Sequence, residues 1–588
     1  MLDSKDMPTG RMNPWAFVFV ATLTILMPRQ MDAEVNPGPG TSVDLGPFGI
    51  GSCHVHNRTA QDNARWVPQM EAIGLRFYRS PETAWPAVEP SEGKWNWEAL
   101  DKQMTTLQEH GMSFGGILIG NPRWNAKDRP GTLPVNNLPA WSAYVSEVVR
   151  HAKAKVRLWE LWNEPPNFTG RDQTPADYAK ILVSAYDSAK AADPACRIGL
   201  AAKSVHVNYL EQVIQAGGRD HFDFITLHPY EVLDGIAESA GTESIYLHIV
   251  PTVRKMLAAQ NPEKAGVPIL FTELGCDAVK KGAETQAHTL VKAYAMGIAQ
   301  GVACIQWFEG IDGDSGPMGL LDRNGTPRPS YTAMSQMIRH FGQHPVSLGW
   351  VLLNGKQPGF AFQGAQTTVL VAWTSQREAA DRVSFGQAVQ IVNPLTGERN
   401  NAENRLLTNA PVLVLGVPED LLKQAQANKA KPLPWGGDFA NAKSVSIEMG
   451  DQQISKGLHT RSGDSVAQAV VAYGGSARSG DVPGGNLFIV DPEFLSYTAE
   501  PIEITAVVRR NEANDKAGFK LVYESTSGFK TAGTWYTVPD NKRWHSVRWR
   551  IDDPQFVNYW GYNFALVSDG NQYNKYYIQS VTVTKLGK

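Results

Sequence analysis

Charged residues are scarce in this chain: of its 588 residues, 19% are Asp, Glu, Lys or Arg, and the formal net charge is −3. No stretch concentrates Lys and Arg, which a phosphate-binding surface needs, so nucleic acid is not expected as a partner. Cysteine is rare as well, since the chain has four. Cys53, Cys196, Cys276 and Cys304 show no metal-ligand spacing, so buried free thiols are expected, with a Cys276–Cys304 disulfide as the alternative.

Only one long apolar run is present, and it lies near the N-terminus. The run from Trp15 to Met27 follows Arg11 and precedes a small-residue site that ends at Ala33. This order is typical of a secretory signal peptide, and the run is short for a bilayer span. We therefore expect residues 1–33 to be a cleaved signal peptide, the protein to be secreted to the extracellular space or periplasm, and no membrane span to remain. An uncleaved anchor is the alternative. The sequence does not predict the oligomeric state.

No G-x-G-x-x-G turn follows the first apolar run after the signal peptide, which argues against a dinucleotide cofactor, and we expect no cofactor. Short apolar runs instead alternate with helical patterns, as in β/α units with a parallel sheet. The candidate strands are Gly49–His54, Leu75–Arg79, Ser113–Ile119, Val156–Trp162, Arg197–Ala201, Phe222–Leu227, Pro268–Thr272 and Ala303–Trp307. Eight units in roughly 300 residues favour a (β/α)8 TIM barrel over an open sheet, and we assign residues 34–340 to it.

After the barrel the helical period disappears. Residues 341–421 contain short β-type runs and are predicted to form a small accessory β domain. Residues 422–437 are polar and then rich in Pro and Gly, which is typical of a linker. Residues 438–588 alternate apolar and polar positions and predict an all-β sandwich or jelly roll. Carbohydrate binding and a purely structural role are both open for this sandwich, as is a structural calcium ion.

Two of the candidate strands end in a glutamate. Glu164 follows the fourth strand and Glu273 the seventh, where a buried carboxylate is costly unless it is paired or does chemistry. In a barrel the C-terminal strand ends surround the open pocket, so we expect the two to face each other. A pair of carboxylates across a pocket is the arrangement that hydrolyses glycosidic bonds.

The other strand ends are polar or aromatic too. The residues at or just after them are Arg79, Asn121, Trp124, Asn163, His228, Tyr230 and Trp307, with His54 and His56 near the end of the first strand. Stability alone does not explain such a set. The chain also has 17 Trp and 18 Tyr, whose rings suit a sugar's C–H face, although packing accounts for most aromatic residues.

These motifs resemble a known group of enzymes. Trp-Asn-Glu-Pro at Trp162–Pro165 and Thr-Glu-Leu-Gly at Thr272–Gly275 are similar to clan A glycoside hydrolases, the retaining barrels with catalytic glutamates on strands four and seven. The stretches Gly51–His56 and Lys94–Trp97 resemble family 39 and related polysaccharide-degrading barrels. The likeness covers about residues 45–340, and the end of the small β domain, Pro411–Gly416, resembles the accessory domain of family 39.

The resemblance implies roles for individual residues. Glu164 would be the acid/base, which needs an environment that raises its pKa, and Glu273 the nucleophile. Arg79 and Tyr230 would keep Glu273 ionised. The implied substrate contacts are Asn163 to the sugar 2-OH, Trp307 as a stacking floor, Trp124 and Trp85 at outer subsites, and His54, His56, His228 and Asn121 as further contacts.

Each of these assignments has an alternative. Glu160 shares strand parity with Glu164 but lies deeper, and we interpret it as structural. The three histidines could form a metal site, but their spacing matches no zinc motif and no metal is expected. Trp85 and Trp124 could belong to the core, and Arg79 could be a plain ion-pair partner. The sequons at Asn57 and Asn167 are candidate glycosylation sites, although a glycan on Asn167 would obstruct the cleft.

The leading hypothesis is a secreted retaining glycoside hydrolase that acts on a β-linked poly- or oligosaccharide. A transglycosylase would use the same residues. A non-catalytic glycan-binding protein on a degenerate barrel is the alternative from another class. The sugar, the linkage and the choice between exo and endo action are not encoded in these motifs.

Overall fold

The computed structural model describes residues 46–51, 60–80, 82–126, 129, 131–313, 315–376, 379–449, 453–461, 469–472, 475–480, 485–511, 516–568, 573 and 575–587. The predicted signal peptide, Cys53, His54, His56 and Asn57 lie outside these residues. Within them, no helix has both the length and the apolar character to cross a membrane. The chain forms two compact units: one holds residues up to 239 and 253–431, and the other holds residues 240–252 and the chain from 432.

The first unit contains a closed barrel of eight parallel strands in which each strand pairs with the next and β8 pairs with β1. The strands are β1 Phe48–Ile50, β2 Phe77–Ser80, β3 Ser113–Leu118, β4 Val156–Leu161, β5 Arg197–Lys203, β6 Phe224–His228, β7 Ile269–Leu274 and β8 Ile305–Trp307. All eight predicted strands are present, which confirms the predicted TIM barrel. Differences are confined to the ends: β1 differs most, since it stops at Ile50, and others differ by one or two residues, as in β5, which continues to Lys203.

Helices follow the strands. They are α1 Ala60–Ala72, α2 Trp85–Val88, α3 Glu98–Glu109, α4 Arg123–Ala126, α5 Leu138–Ala152, α6 Pro175–Ala192, α7 Val207–Val213, α8 Tyr230–Ala237, α9 Glu243–Leu247, α10 Ile249–Gln260, α11 Ala283–Ala299 and α12 Pro329–Phe341. The sequence explains where α6 begins: Thr174, just before the helix, and Asp177, in its first turn, form a reciprocal capping box. In α5, Trp141, Tyr144, Val145, Val148 and Val149 form one buried stripe at helical spacing.

Large side chains fill the barrel interior. Phe77, Leu158, Phe224, Leu270 and Cys304 form one buried cluster. Gly199 on β5 is required for this packing, because a Cβ atom there would lie 1.9 Å from the Phe224 ring. Cys196, Cys276 and Cys304 are buried free thiols, which confirms that prediction for the described cysteines and rules out the Cys276–Cys304 disulfide.

The same unit contains a six-stranded sheet in the order β13-β12-β14-β11-β10-β9. Its strands are β9 Val346–Leu353, β10 Gln357–Gln363, β11 Thr368–Ala372, β12 Asp381–Val392, β13 Arg399–Leu407 and β14 Val412–Leu415. The segment 422–437 is not wholly a linker, because helix α13 spans Glu419–Asn428. Ala425 is buried in the core of the sheet, and Leu421 and Leu422 pack against that core. Three apolar residues at helical spacing outweigh the polar composition of this segment.

The second unit is a two-sheet β structure. Its strands are β15 Ser444–Met449, β16 Gln453–Lys456, β17 Leu458–Thr460, β18 Ala469–Ala472, β19 Gly475–Ser479, β20 Asn486–Val490, β21 Ile502–Arg510, β22 Gly518–Ser525, β23 Gly528–Thr537, β24 His545–Ile551, β25 Phe564–Val567 and β26 Tyr576–Lys585. One sheet has the order β16-β15-β26-β19-β18, with β21 paired to β26 and β24 paired to β21, and the other has the order β17-β20-β25-β22-β23. Alternate residues of β21, from Ile502 to Val508, face a shared core, which confirms the predicted sandwich.

Candidate active site

Glu273, on β7, is held by two partners at the barrel mouth. It is 7% exposed, and its Oε1 accepts a hydrogen bond from Arg79 Nη1. Its Oε2 accepts a hydrogen bond of 3.2 Å from the Tyr230 hydroxyl. The structure thus brings together the three residues that the sequence predicted as a group. A carboxylate with a cation on one oxygen and a hydroxyl on the other is stabilised in its charged form.

Arg79, on β2, connects most of the site. Its side chain is fully buried, and Nε donates to Glu160 Oε2 at 3.4 Å. Its Nη2 donates to Asn163 Oδ1 at 3.1 Å and lies 3.3 Å from His228 Nε2. Burial alone would lower the pKa of Arg79, but the neighbouring Glu160 and Glu273 raise it overall, so the guanidinium stays charged. Arg79 is both an ion-pair partner and the organiser of the site.

Glu164 follows β4 and is held by a different kind of partner. Its Oε1 lies 3.0 Å from His228 Nδ1, and its Oε2 accepts a bond of 3.4 Å from Asn167 Nδ2. The backbone turns sharply here, since φ is 64° at Trp162 and 46° at Glu164. Non-glycine residues rarely adopt this left-handed region, and such strain is concentrated at functional sites. The turn directs the Glu164 carboxylate towards the His228 ring.

The electrostatics of Glu164 correct the sequence prediction. Burial raises the pKa of the Glu164 carboxyl, but the hydrogen bond and charge of His228, together with Lys203, lower it further, and the net direction is downward. For His228, burial lowers the pKa while Glu273 and Glu164 raise it, and the net direction is upward. The expected rise in the Glu164 pKa is therefore absent in the free protein. The two groups therefore favour each other's charged forms.

His228 lies between the two glutamates. Its Nδ1 is 3.0 Å from Glu164 Oε1 and 3.6 Å from Glu273 Oε2, while Nε2 is 3.1 Å from Thr272 Oγ1. One donor atom from each of Glu164, His228 and Glu273 lies within 4.8 Å of the others, a spacing that a divalent cation could also use. The guanidinium of Arg79 already lies against the Glu273 carboxylate as its counter-charge, so we assign no metal ion to this cluster.

Glu160 is a structural carboxylate. It is fully buried below Glu164, and Arg79 Nε, Thr226 Oγ1 at 2.8 Å and Thr272 Oγ1 at 3.2 Å all donate to it. Its oxygens are thus occupied by the protein. The Oδ1 atom of Asn163 accepts from Arg79, which leaves its Nδ2 as the group that can donate to a ligand; its predicted contact with the sugar stays a prediction.

Several predicted contact residues are used elsewhere. Trp307 is fully buried and its indole N–H donates to Met318 O, so the ring offers no face to a sugar in this conformation. Trp85 is fully buried and stacks on Tyr144 at 5.2 Å, which makes it a core residue. The predictions of a stacking floor and of an outer subsite at these two positions are not supported. Trp307 ends β8 and Trp85 begins α2, and burial of their apolar rings explains both positions.

Asn121, in the loop after β3, and Trp124, in α4, are two further predicted contact residues. Asn121 is 2% exposed; its Oδ1 accepts from Asn125 at 2.7 Å, and its Nδ2 donates to Asn136. Trp124 donates to Glu89 O at 3.0 Å and meets Trp85 edge-on. These hydrogen bonds stabilise the segment after β3, and the predicted substrate contacts of Asn121 and Trp124 stay predictions.

Sequence reasoning missed two ionisable residues near the carboxylates, Lys203 at the end of β5 and Glu231 in α8. Lys203 is paired in register with His228, and its N–H donates to Pro165 O at 3.0 Å. Glu231 follows Tyr230, and burial raises its pKa while Ser204 and Lys203 act against that rise. The charge of Lys203 lowers the pKa of both Glu164 and Glu231. The signal was missed because the predicted fifth strand ended at Ala201, two residues before Lys203.

Sequence comparison finds β-galactosidases that match a short part of this chain. The family model described as Glyco_hydro_42, Beta-galactosidase, matches residues 54–144. The curated Beta-galactosidase BgaA from Thermus sp. is 33% identical over 78 residues, which is 12% of this chain and 12% of that enzyme. The chain thus matches a small part of the length of that relative.

A solved structure extends the likeness to the whole barrel. A family 39 glycoside hydrolase from the gut symbiont Bacteroides cellulosilyticus WH2 superposes with a TM-score of 0.53 at 19% identity, over 63% of this chain and 80% of that chain. At this identity the superposition establishes the fold. Together these findings confirm the resemblance to clan A glycoside hydrolases and support a glycosidase.

Proposed function

We propose that this protein is a retaining glycoside hydrolase that cleaves a β-linked glycan, with Glu164 as acid/base and Glu273 as nucleophile. The observation that carries the proposal is the separation of the two carboxylates. One oxygen of each lies within 4.8 Å of the other, with His228 in contact with both. Retaining enzymes place their carboxyl groups about 5–5.5 Å apart, whereas inverting enzymes need about 6.5–9.5 Å to admit water.

In the first step a Glu273 oxygen attacks the anomeric carbon. The bond to the leaving oxygen breaks as that oxygen takes the proton held by the Glu164–His228 pair. Arg79 and Tyr230 orient Glu273, and Asn163 Nδ2 is placed to donate to the sugar 2-OH as charge develops. The product is an α-linked glycosyl-enzyme.

In the second step Glu164 acts as a base. It removes a proton from water, which attacks the anomeric carbon and releases Glu273. Two inversions leave the β configuration unchanged. The same residues would transfer the sugar to an acceptor alcohol if water were excluded, which defines the transglycosylase alternative.

The test has two readouts. Substrates are screened among β-galactosides, β-xylosides, β-glucans, β-mannans and bacterial exopolysaccharides, and the first product anomer is followed by NMR. We expect the β anomer first. A 2-deoxy-2-fluoro-β-glycoside of the accepted sugar should then label the peptide that carries Glu273, with Glu273→Gln as the control that stays unlabelled.

Three other outcomes would contradict the proposed retaining hydrolase. An α anomer formed first would show an inverting enzyme. Glycan binding without turnover in the wild-type protein would favour the non-catalytic alternative, and a product on an added alcohol in place of free sugar would favour a transglycosylase.

We also propose that the protein is secreted, because the run from Trp15 to Met27 has the pattern of a signal peptide. N-terminal sequencing of the exported protein tests this proposal: a mature terminus just after Ala33 is expected, and a retained Met would contradict cleavage.

A further inference from the structure

Phe168 is unusual among the aromatic residues of this protein. It is 49% exposed and is the most exposed aromatic side chain among the described residues. It lies four positions after Glu164, on the loop between β4 and α6. A lone exposed aromatic residue needs no explanation on an ordinary surface, but this one adjoins the proposed acid/base.

The loop holds Phe168 firmly in that position. Its carbonyl accepts a hydrogen bond of 3.0 Å from the buried Trp162 indole N–H. Thr169 Oγ1 donates to Pro166 O at 2.8 Å, and Asn167 Nδ2 donates to Glu164 Oε2. The backbone of Phe168 has φ 55°, a conformation that is costly for a bulky residue and persists only where surrounding contacts impose it.

The chemistry of the site indicates what such a ring can bind. The acid/base protonates the leaving oxygen, so the loop that carries Glu164 adjoins the leaving-group sugar rather than the sugar bonded to Glu273. An aromatic face binds the C–H face of a pyranose, and this face is open when the ring hydroxyls are equatorial. The loop that carries Phe168 is already fixed, so a sugar that binds to the ring pays little entropy for ordering it.

We propose that Phe168 is the stacking platform of the leaving-group subsite and that this subsite takes a pyranose with mainly equatorial hydroxyls. The proposal rests on the proposed glycosidase function. It assigns Phe168 a role in the first chemical step only, because the leaving sugar has departed before water attacks.

The experiment compares two leaving groups on one sugar. For xylose, glucose, galactose and mannose, the β-1,4-linked disaccharide and the β-glycosyl fluoride are assayed, and the pair that the wild-type protein accepts is kept. Phe168→Ala and Phe168→Leu are expected to lower kcat/KM for the disaccharide by about threefold to tenfold, the range for one lost aromatic contact. The fluoride, which needs no platform, should react at the wild-type rate.

Two further variants separate stacking from other effects. Phe168→Tyr keeps the ring and should keep the disaccharide rate. Val279→Ala shortens another exposed apolar side chain, which is 76% exposed and lies on the loop after β7. This variant should leave kcat/KM unchanged for both substrates. A glycosyl fluoride also needs little acid catalysis, so the pH profile of kcat/KM for the disaccharide is measured as well, and its basic limb should stay in place in Phe168→Ala. A basic limb that moves would show that Phe168 only supports Glu164. Equal losses on both substrates would show a general structural role, and an unchanged disaccharide rate would show that Phe168 does not touch the substrate; any of these results overturns the proposal.

Failure of the underlying function gives a different result. If the wild-type protein turns over none of the disaccharides or fluorides, the proposed glycosidase activity on these sugars fails, and the inference about Phe168 fails with it. If the wild-type protein is active and the Phe168 variants do not change the ratio of kcat/KM for the disaccharide to kcat/KM for the fluoride, only the inference about Phe168 fails.

Discussion

The ends of β4 and β7 place the same residue type at the same barrel mouth, but in unlike surroundings. Glu273 contacts a guanidinium that remains charged at any physiological pH, together with the Tyr230 hydroxyl. Glu164 contacts His228, whose ring can carry a proton, and the amide of Asn167. One carboxylate therefore has a permanent counter-charge and the other has a partner that can exchange a proton.

This difference suits the two chemical roles that we propose for Glu164 and Glu273. A nucleophile must remain ionised, and the fixed charge of Arg79 serves that need. An acid/base must take up and release a proton in each cycle, and a carboxylate–imidazole pair can hold that proton on either partner. Since His228 also approaches Glu273 to 3.6 Å, conversion of Glu273 to an ester in the first step removes a charge that raises the His228 pKa. The two strand ends are thus coupled through one ring.

The largest expected effect comes from removing each carboxylate in turn. We expect Glu273→Ala to lower turnover of every substrate by about 10⁴-fold or more, because no covalent intermediate can form. We expect Glu164→Ala to lower kcat/KM for glycans by about 10²–10⁴-fold but to spare kcat/KM for aryl glycosides, whose leaving groups need little protonation. Because the base of the second step is also lost, kcat should fall for both substrate types. Steady-state rates on both substrate types measure the contrast.

Added azide distinguishes the two roles directly. With Glu164→Ala, azide should attack the glycosyl-enzyme and give a β-glycosyl azide. With Glu273→Ala, it should displace the leaving group once and give the α anomer. Glu284→Gln, a carboxylate in the first turn of α11, is the control and should behave as wild type. An α-glycosyl azide from Glu164→Ala and a β-glycosyl azide from Glu273→Ala would reverse the assignment of the two glutamates.

A smaller effect, on stability, tests the fixed charge. We expect Arg79→Met to destabilise the barrel by about 3–5 kcal/mol, because it leaves the buried Glu160 and Glu273 without their cation. Thermal unfolding followed by tryptophan fluorescence measures the loss. Arg129→Met, which breaks an exposed pair with Asp172, is the control and should change little. An unchanged melting temperature in Arg79→Met would mean that Arg79 does not neutralise the β7 end.

Sequence patterns predicted the barrel and its pair of carboxylates because both depend on local signals. Apolar runs bounded by polar residues define strands, and the register of a closed barrel then brings the ends of β4 and β7 together. The contact between Arg79, Tyr230 and Glu273 could be inferred in the same way. The accessory sheet was predictable too, whereas α13 was hidden by its polar composition.

Side-chain direction could not be predicted from these patterns. Trp307 and Phe168 are both aromatic residues near a catalytic strand end, yet one is fully buried and the other is half exposed. The pKa of Glu164 likewise depends on the 3.0 Å contact with His228, which lies 64 positions away in the chain. Such contacts are set by packing between strands, and a single sequence records them weakly.

The smallest effect, and the most specific to the comparison, is a shift in pH dependence. Replacing His228 by Asn removes the hydrogen bond and the charge that lower the pKa of Glu164, while burial, which raises it, remains. The pKa of Glu164 should rise. Activity is lost as pH increases through the pKa of the acid, so the basic limb of the kcat/KM profile should move to higher pH.

Charged neighbours other than His228 are kept in this variant. Lys203 still lowers the pKa of Glu164, and Arg79 and Glu273 stay in place beside the cleft, so the shift reports on the ring itself. Tyr230→Phe is the matched control: it removes a hydrogen bond to Glu273, should slow turnover by roughly tenfold, and should leave the basic limb unmoved. A basic limb that stays in place in His228→Asn, or moves to lower pH, would show that His228 does not hold the proton of the β4 carboxylate, and the contrast between the two strand ends would then rest on Arg79 alone.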